Sequence, residues 1–353
     1  MRISAFSLTP YRLPFVTPWK SAAGIWHQRQ GWLVRLTDQS GRTGYGDAAP
    51  LAESGTETLF QARAWLEARR TTLMDGTPER VMQQLSPTTR HPAARCGLET
   101  ALLDLQSKQQ GLPLYRQLAG TAVHSSVRLN AAIGTLDESA GDRAAAAIAA
   151  GFTLLKLKLG GAPISTERPR LERLCRQLPD GIGLRLDANR AWQMPEAFDL
   201  IGTLNQLPVE SLEEPLRKPD PRSLEILQSR ARFDLALDES LSGFIRQQRL
   251  RSIPVNRLII KPTCLGGLIP ALGIIRQAHR HGLTCVITST LESSAGLWPL
   301  LHLAASADLL TTPAIHGLAT AGWFSRDLGN PPPLISGRVV LGSEPGTGFI
   351  LKT

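Results

Sequence analysis

Five charged residues recur at nearly even spacing through the second half of the chain: Lys158, Asp187, Glu213, Asp238 and Lys261, separated by 29, 26, 25 and 23 residues. Each closes a short apolar run, in "TLLKLK", "GLRLD", "VESLE", "DLALD" and "RLIIK". Charge placed in such a run is costly unless something uses or compensates it. Three carboxylates brought side by side repel one another, and a hard divalent cation relieves that repulsion. Oxygen-only donors favour Mg²⁺, with Mn²⁺ as the alternative. A lysine beside such a centre and shielded from water has its pKa drawn toward neutrality, which suits a general base. The chemistry implied is removal of a proton next to a carboxylate, with the resulting enediolate stabilised by the metal.

The elements that must position these residues follow from the same spacing. From about residue 126, apolar strands alternate with amphipathic stretches: "VRLNAAI", "TLLKLKL", "GLRLDAN", "VESLEEP", "DLALDES", "RLIIKPT" and "TCVITST", with helical patterns such as Glu138–Ala150, Pro195–Gln206 and Leu268–His281 between them. Regular βα units of this size imply parallel strands. Seven units, with a short eighth strand near Pro313–His316, predict a (β/α)7β TIM-like barrel over residues 123–319. In a barrel the polar residue at the C-terminal end of a strand reads as catalytic. Period-2 alternation places Lys156 with Lys158, Arg185 with Asp187, Val209 and Ser211 with Glu213, Ala236 with Asp238, and Ile259 with Lys261 on the inward face. Leu155, Leu157, Leu184 and Leu186 then face the helices, and Glu214 points away from Glu213. A single Asp at a strand end is commonly a helix N-cap and a single Lys commonly snorkels to water. The coincidence of five on consecutive strands carries the functional reading.

Residues 1–122 read differently, as an α+β domain. "GWLVRLTDQSGRTGYGDAAP" is a hairpin pattern, followed by helical stretches at Thr56–Arg70 and at Cys96–Gln110, the latter closed by Gly111. Residues 320–353 are rich in Gly and Pro, with strand-like "RVVL" and "FILK", and are expected to return to this first domain.

Composition narrows the function classes. The 353 residues are 42% hydrophobic and 20% charged, enough for a large core and unlike a disordered chain. The net charge of +9 comes from scattered arginines with no aromatic-interleaved basic stripe, so no nucleic-acid partner is expected. A basic mouth instead favours a small anionic carboxylate substrate. Neither a P-loop nor a dinucleotide GxGxxG occurs, so no nucleotide cofactor is expected. Cys96, Cys175, Cys264 and Cys285 form no CxxC pair and read as free thiols of a reducing cytoplasm. No signal-like apolar segment or membrane-length stretch is present, so a cytoplasmic protein without membrane contact is expected.

"KLK", "DAN", "EEP", "DES" and "KPT" on successive strands resemble the enolase superfamily. The lysines on the second and sixth strands are similar to its muconate-lactonizing subgroup. "TSTLESSAGL" lacks the histidine of the mandelate racemase branch, and with "LRLDANRAW", "LEEPL" and "ALDESL" looks most like the o-succinylbenzoate synthases. "GYGDAAPL" is similar to the hairpin of the superfamily's capping domain. The resemblance implies that Asp187, Glu213 and Asp238 bind Mg²⁺, that Lys158 is general base and then general acid, and that Lys261 faces the other side of the substrate. It also implies that Lys156 lowers the pKa of Lys158 and that Arg185 and Asn189 orient the substrate. Thr288, Ser289 and Thr290 would hold a succinyl carboxylate, with Gly266 and Gly267 allowing close backbone approach. The loop Val16–Gln30, with Trp19 and Trp26, and the turn after Pro50 are candidates for closing over the substrate. The implied reaction is dehydration of 2-succinyl-6-hydroxy-2,4-cyclohexadiene-1-carboxylate. The same scaffold also runs N-acylamino acid racemisation, dipeptide epimerisation and muconate cycloisomerisation. Ala319 stands where dipeptide epimerases often carry an acid, which counts against a dipeptide substrate. A non-catalytic binding protein is disfavoured by the intact set of five.

Overall fold

The computed structural model describes residues 1–21, 24–74, 76–86, 88–120, 125–247 and 250–352, the side chains of 20 and 21 excepted. The chain opens with three antiparallel strands, β1 (Ile3–Ser21), β2 (Gly24–Asp38) and β3 (Thr43–Ala48). Asp38 staples the β2–β3 turn by accepting the N–H groups of Ser40 (2.8 Å) and Arg42 (3.0 Å), the bonding that Asp favours in turns. Five helices follow: α1 (Leu59–Glu67), α2 (Arg70–Leu73), α3 (Pro78–Gln84), α4 (Pro92–Gln110) and α5 (Leu114–Ala119). The helix expected over Thr56–Arg70 begins later, because Thr58 and Gln61 form a capping box. α4 ends where expected, at Gly111 with φ 68°. His91 does not cap α4; the buried carboxylate of Glu57 accepts the N–H groups of Ala93 (3.2 Å) and Ala94 (2.6 Å) instead. α4 lies directly on β3, since a Cβ on Gly46 would run into the Gly97 carbonyl and one on Gly97 into the backbone of Ala48.

The second part begins with β4 (Ser126–Leu129), followed after Asn130 by β5 (Ala131–Thr135). Then come β6 (Leu154–Lys158), β7 (Gly183–Asp187), β8 (Val209–Glu213), β9 (Asp234–Leu237), β10 (Arg257–Ile260), β11 (Thr284–Ile287) and β12 (Ile315–His316). Between them run α6 (Ala140–Ala149), α7 (Ile164–Gln177), α8 (Met194–Leu204), α9 (Pro221–Arg230), α10 (Leu241–Arg246), α11 (Pro262–Leu265), α12 (Leu268–Arg280) and α13 (Ser294–Leu310). Strands β5 to β11 form one parallel sheet in chain order. β12 completes the ring: Ile315 and His316 pair with Arg128 and Leu129 of β4, and Gly317 bridges Thr288 past the end of β11. Because β12 is only two residues long, His316 reinforces the seam, its Nδ1 accepting the Ile287 N–H at 3.0 Å. The architecture is the (β/α) barrel beside an α+β layer that the sequence predicts.

Leu155, Leu157, Leu184, Leu186 and Leu212 are fully buried against the helices, each contributing about 2 kcal/mol by its burial. Parallel register sets Lys156 beside Arg185, Lys158 beside Asp187, and Asp187 beside Glu213, at matched heights. The register shifts twice in this sheet, once between Ala132 and Thr135 of β5 and once at β8. Between Leu184 and Arg185 the register with β8 shifts, leaving Glu210 as an extra residue that pairs with Arg185 and Arg257. The bulge turns Glu210 inward and puts Val209, expected on the inward face, opposite Leu184 and against the helix-side core.

The last segment divides. Phe324 bridges Phe15 and Gly346 bridges Pro113, so these residues do meet the first part of the chain. The hairpin β13 (Leu334–Ile335) and β14 (Arg338–Val340) instead pairs with β4, and "FILK" contributes only a bridge at Leu351. The boundary expected between residues 122 and 123 lies outside the described residues. The four cysteines are free. No described helix is long and apolar enough to cross a membrane.

Candidate active site

At the C-terminal end of the parallel sheet the structure brings together Lys156, Lys158, Asp187, Glu213, Asp238 and Lys261. Lys156 Nζ lies 3.0 Å from Asp187 Oδ2 and 2.7 Å from Glu213 Oε2. Lys261 Nζ pairs with Asp238 Oδ2. Lys158 differs from both: among the described residues it has no carboxylate partner, and its Nζ stands 5.2 Å from the centre of the Trp19 ring. Strand order places Lys158 at one edge of the three carboxylates and Lys261 at the other.

The electrostatics separate the lysines. Burial would lower Lys156, but Asp187 and Glu213 outweigh it and raise its pKa. Burial likewise opposes, and Asp238 and Glu213 overcome, in raising Lys261. Lys158 is lowered, chiefly by burial, with Asp187 opposing and Lys156 assisting. The expected tuning by Lys156 is therefore present but subordinate to desolvation. Burial first, and then the charge of Asp187, push Glu213 well above the usual carboxylate range. Burial would also raise Asp238, but the ammonium groups of Lys261 and Lys156 hold it below its ordinary value.

Among the described residues, no three Asp, Glu, His or Cys side chains are so arranged as to hold a metal ion; the three carboxylates face ammonium groups. The donor set itself fits Mg²⁺. Among the described residues Glu213 Oε1 is buried with no hydrogen-bond partner, and the Glu213–Asp187 repulsion is only partly relieved by Lys156. A hard cation held by Asp187, Glu213 and Asp238 would answer both the orphaned acceptor and the repulsion.

Several residues expected at the substrate are engaged elsewhere. Arg185 sits one layer below Asp187 and bonds Glu210 (2.9 and 3.1 Å), Asn130 Oδ1 (3.2 Å) and the Ile315 carbonyl (2.6 Å). With its donors directed to these groups it braces the barrel interior and does not orient substrate. Gly266 and Gly267 admit α4 of the capping layer. Arg95 donates to the Gly266 carbonyl, and a Cβ on Gly267 would fall inside the Glu99 carboxylate. The hydroxyls of Ser289 and Thr290 both donate to Glu292. Of the three, Thr288 keeps a buried Oγ1 that has no partner among the described residues, on the inward face at the end of β11. Asn189, with φ 43°, lies at the rim, its N–H on Asp187 Oδ1 (3.1 Å) and its amide on Glu239 (3.3 Å). Trp26 is exposed, while the loop Val16–Gln30 lies partly outside the described residues.

Three further residues join the capping layer to the mouth. Arg29 donates to the carbonyls of Leu291 (3.1 Å), Ala49 (2.5 Å) and Pro50 (2.7 Å), fixing the turn after Pro50. Asp47 accepts Tyr11 Oη (2.6 Å) and the N–H (2.8 Å) and Oγ (2.7 Å) of Ser293. Glu292 gathers the hydroxyls beside it. The only local signal for Glu292 was a single acid among Ser and Thr in "TSTLESSAG"; Asp47 lies within "GYGDAAPL" and Arg29 within Val16–Gln30, but neither residue stood out from its stretch.

Comparison with known proteins matches residues 139–353 to the enolase C-terminal domain-like family and residues 5–105 to the MenC N-terminal domain. An o-succinylbenzoate synthase of Proteus mirabilis is 30% identical, with 85% of each chain covered. An N-succinyl-L-Arg/Lys racemase of Bacillus cereus is 24% identical, covering 99% of this chain and 95% of the racemase. Among solved structures, a dipeptide epimerase from Methylococcus capsulatus, complexed with Mg and the dipeptide L-Arg-D-Lys, superposes with TM-score 0.88 at 27% identity, covering 99% of this chain and 100% of that one.

Proposed function

The chain belongs to the enolase C-terminal domain-like family, and from that premise we propose that it is a Mg²⁺-dependent o-succinylbenzoate synthase. This hydro-lyase converts 2-succinyl-6-hydroxy-2,4-cyclohexadiene-1-carboxylate to 2-succinylbenzoate and water. The observation that carries the reading is Lys158: the lysine of the cluster with no carboxylate partner among the described residues, lowered by burial, at the edge of three carboxylates. The MenC N-terminal match and the likeness to the Proteus mirabilis synthase support dehydration over the other reactions of the scaffold.

Asp187, Glu213 and Asp238 would hold Mg²⁺, which when bound draws negative charge from the substrate carboxylate and so acidifies the adjacent C–H. Neutral Lys158 takes that proton, and the bond electrons pass into the carboxylate as an enediolate. The Lys158 ammonium then returns its proton to the C6 hydroxyl, which leaves as water while the ring becomes aromatic. Lys261, at the far edge of the cluster, keeps its charge and stabilises the enediolate, with a cation–π contact to the forming ring. Thr288 Oγ1 is the free hydroxyl for the succinyl carboxylate. Lys156 counters Asp187 and Glu213 and does not transfer protons.

Racemisation of N-acylamino acids is the second reading, favoured by lysines on both edges of the cluster; Ala319 counts against dipeptides. Purified protein with Mg²⁺ is expected to consume the cyclohexadiene acid with a change in ultraviolet absorbance. If that assay is silent while an N-acylamino acid exchanges its α-hydrogen for solvent deuterium, the racemase reading replaces the synthase.

A further inference from the structure

Glu292 is a buried carboxylate that the proton transfers above leave without a task. It is 3% exposed, on the loop between β11 and α13. Four donors converge on it. Thr263 Oγ1 (2.5 Å) and Thr290 Oγ1 donate to Oε1, and Ser289 Oγ (2.6 Å) and the Thr290 N–H (2.8 Å) to Oε2. A carboxylate with this many charge-assisted bonds is fixed in place and fixes its donors in turn. Thr263 is the donor from outside the loop. It lies two residues past Lys261, at the start of α11, so this bond crosses from the end of β10 to the end of β11.

The same loop is gripped from the other side. The Arg29 guanidinium holds the Leu291 carbonyl and Asp47 holds Ser293. Leu291 between them adopts φ 63°, a left-handed conformation that a bulky residue keeps only when its surroundings enforce it. Arg29 belongs to β2, the strand whose Trp26 is paired with Trp19 of β1.

We propose that Glu292 is a positioning residue for Lys261. Through Thr263 it holds the end of β10 at the height of the carboxylate cluster, and through Leu291 and Ser293 it links that height to the seating of the capping hairpin. The inference rests on the proposed use of Lys261 at the mouth. A carboxylate serving only the fold would stabilise the whole chain without singling out one lysine.

The test uses the full-length protein with Mg²⁺ and two variants. Thr263→Val removes one donor and keeps its shape, and it stays informative if Glu292→Gln fails to fold. Each is expected to lower kcat about tenfold with KM changed less than about twofold, the signature of a lost transition-state contact. Each is also expected to raise acetylation of Lys261 by an amine-reactive ester, read by mass spectrometry, about fivefold, with Lys158 unchanged, as local release without global opening requires. Equal increases at both lysines, or none at either, would overturn the proposal. Selective labelling of Lys261 in a protein that fails to dehydrate the cyclohexadiene acid would reject the synthase reading and support the positioning role.

Discussion

The ammonium group of Lys158 on β6 stands 5.2 Å from the ring centre of Trp19 on β1, while its two neighbouring lysines are held by carboxylates. The proposed base is thus met from above by the capping hairpin and not from within the barrel. A cation over an indole face contributes about 0.5–2 kcal/mol, more where water is excluded. Trp19→Leu is therefore expected to lower kcat/KM about tenfold, the kinetic equivalent of 1.4 kcal/mol, with thermal unfolding unchanged. Steady-state kinetics beside Lys158→Ala, which should abolish turnover, checks this. A Trp19→Leu enzyme as fast as the parent would show the contact to be idle.

Lys156 and Mg²⁺ are expected to compete for the same carboxylates. Lys156→Met leaves Asp187 and Glu213 buried without their ammonium, a loss of about 3–5 kcal/mol in metal-free protein. Added Mg²⁺ should then stabilise the variant more than the parent, because no ammonium has to be displaced. Unfolding temperatures with EDTA and with Mg²⁺ measure the difference. Equal Mg²⁺-induced shifts in the two proteins would place the cation away from Lys156.

Glu210 is predicted to matter for stability and not for turnover. Its bulged position pairs it with the buried Arg185 and with Arg257, which also pairs with Asp234. Glu210→Ala leaves Arg185 without its counter-charge and is expected to cost about 3 kcal/mol in urea unfolding, with kcat of the folded enzyme unchanged. A fall in kcat without lost stability would return Arg185 to the substrate.

His302 should make the fold acid-sensitive. It stacks on Tyr115, accepts the Tyr115 N–H at 3.0 Å and meets the Thr347 carbonyl at 2.9 Å. Burial pushes its pKa down to about 4. For a base depressed in the folded state, the stabilising contribution is complete above the unfolded value near 6.5 and is lost as pH falls through about 4. The loss should approach about 3 kcal/mol, and His302→Gln, which has no titrating ring, should flatten that slope. Denaturant titrations at several pH values between neutrality and about 4 give the measurement.

Gly267→Ala is expected to destabilise the fold, since φ is 140° there and the new Cβ would meet Glu99. The cost should exceed the roughly 1 kcal/mol typical of such backbone strain alone, and a double variant with Glu99→Ala should recover the steric part. Failure of the second change to help would leave the backbone conformation as the whole cause.

What the sequence determined by itself was periodic and local. Even spacing from Lys158 to Lys261 implied βα units, and period-2 alternation sorted leucines outward and charges inward on β6 and β7. Both patterns repeat over a few residues, so they are legible without knowing what packs against them. The tertiary structure decided which of those polar groups remain free. Glu99 reaches Ile269 across 170 positions of sequence, Arg29 reaches Leu291 across 262, and Asp47 reaches Ser293 across 246. Such pairings seat α4 against the Gly266–Gly267 turn and hold the Leu291–Ser293 loop in place. The bulge that turns Glu210 inward is likewise invisible to alternation, because it is an exception to the period. Three adjacent hydroxyls carry the same local signal; Glu292 of the same loop, held from the end of β10 by Thr263, takes Ser289 and Thr290, and among the described residues Thr288 Oγ1 has no partner.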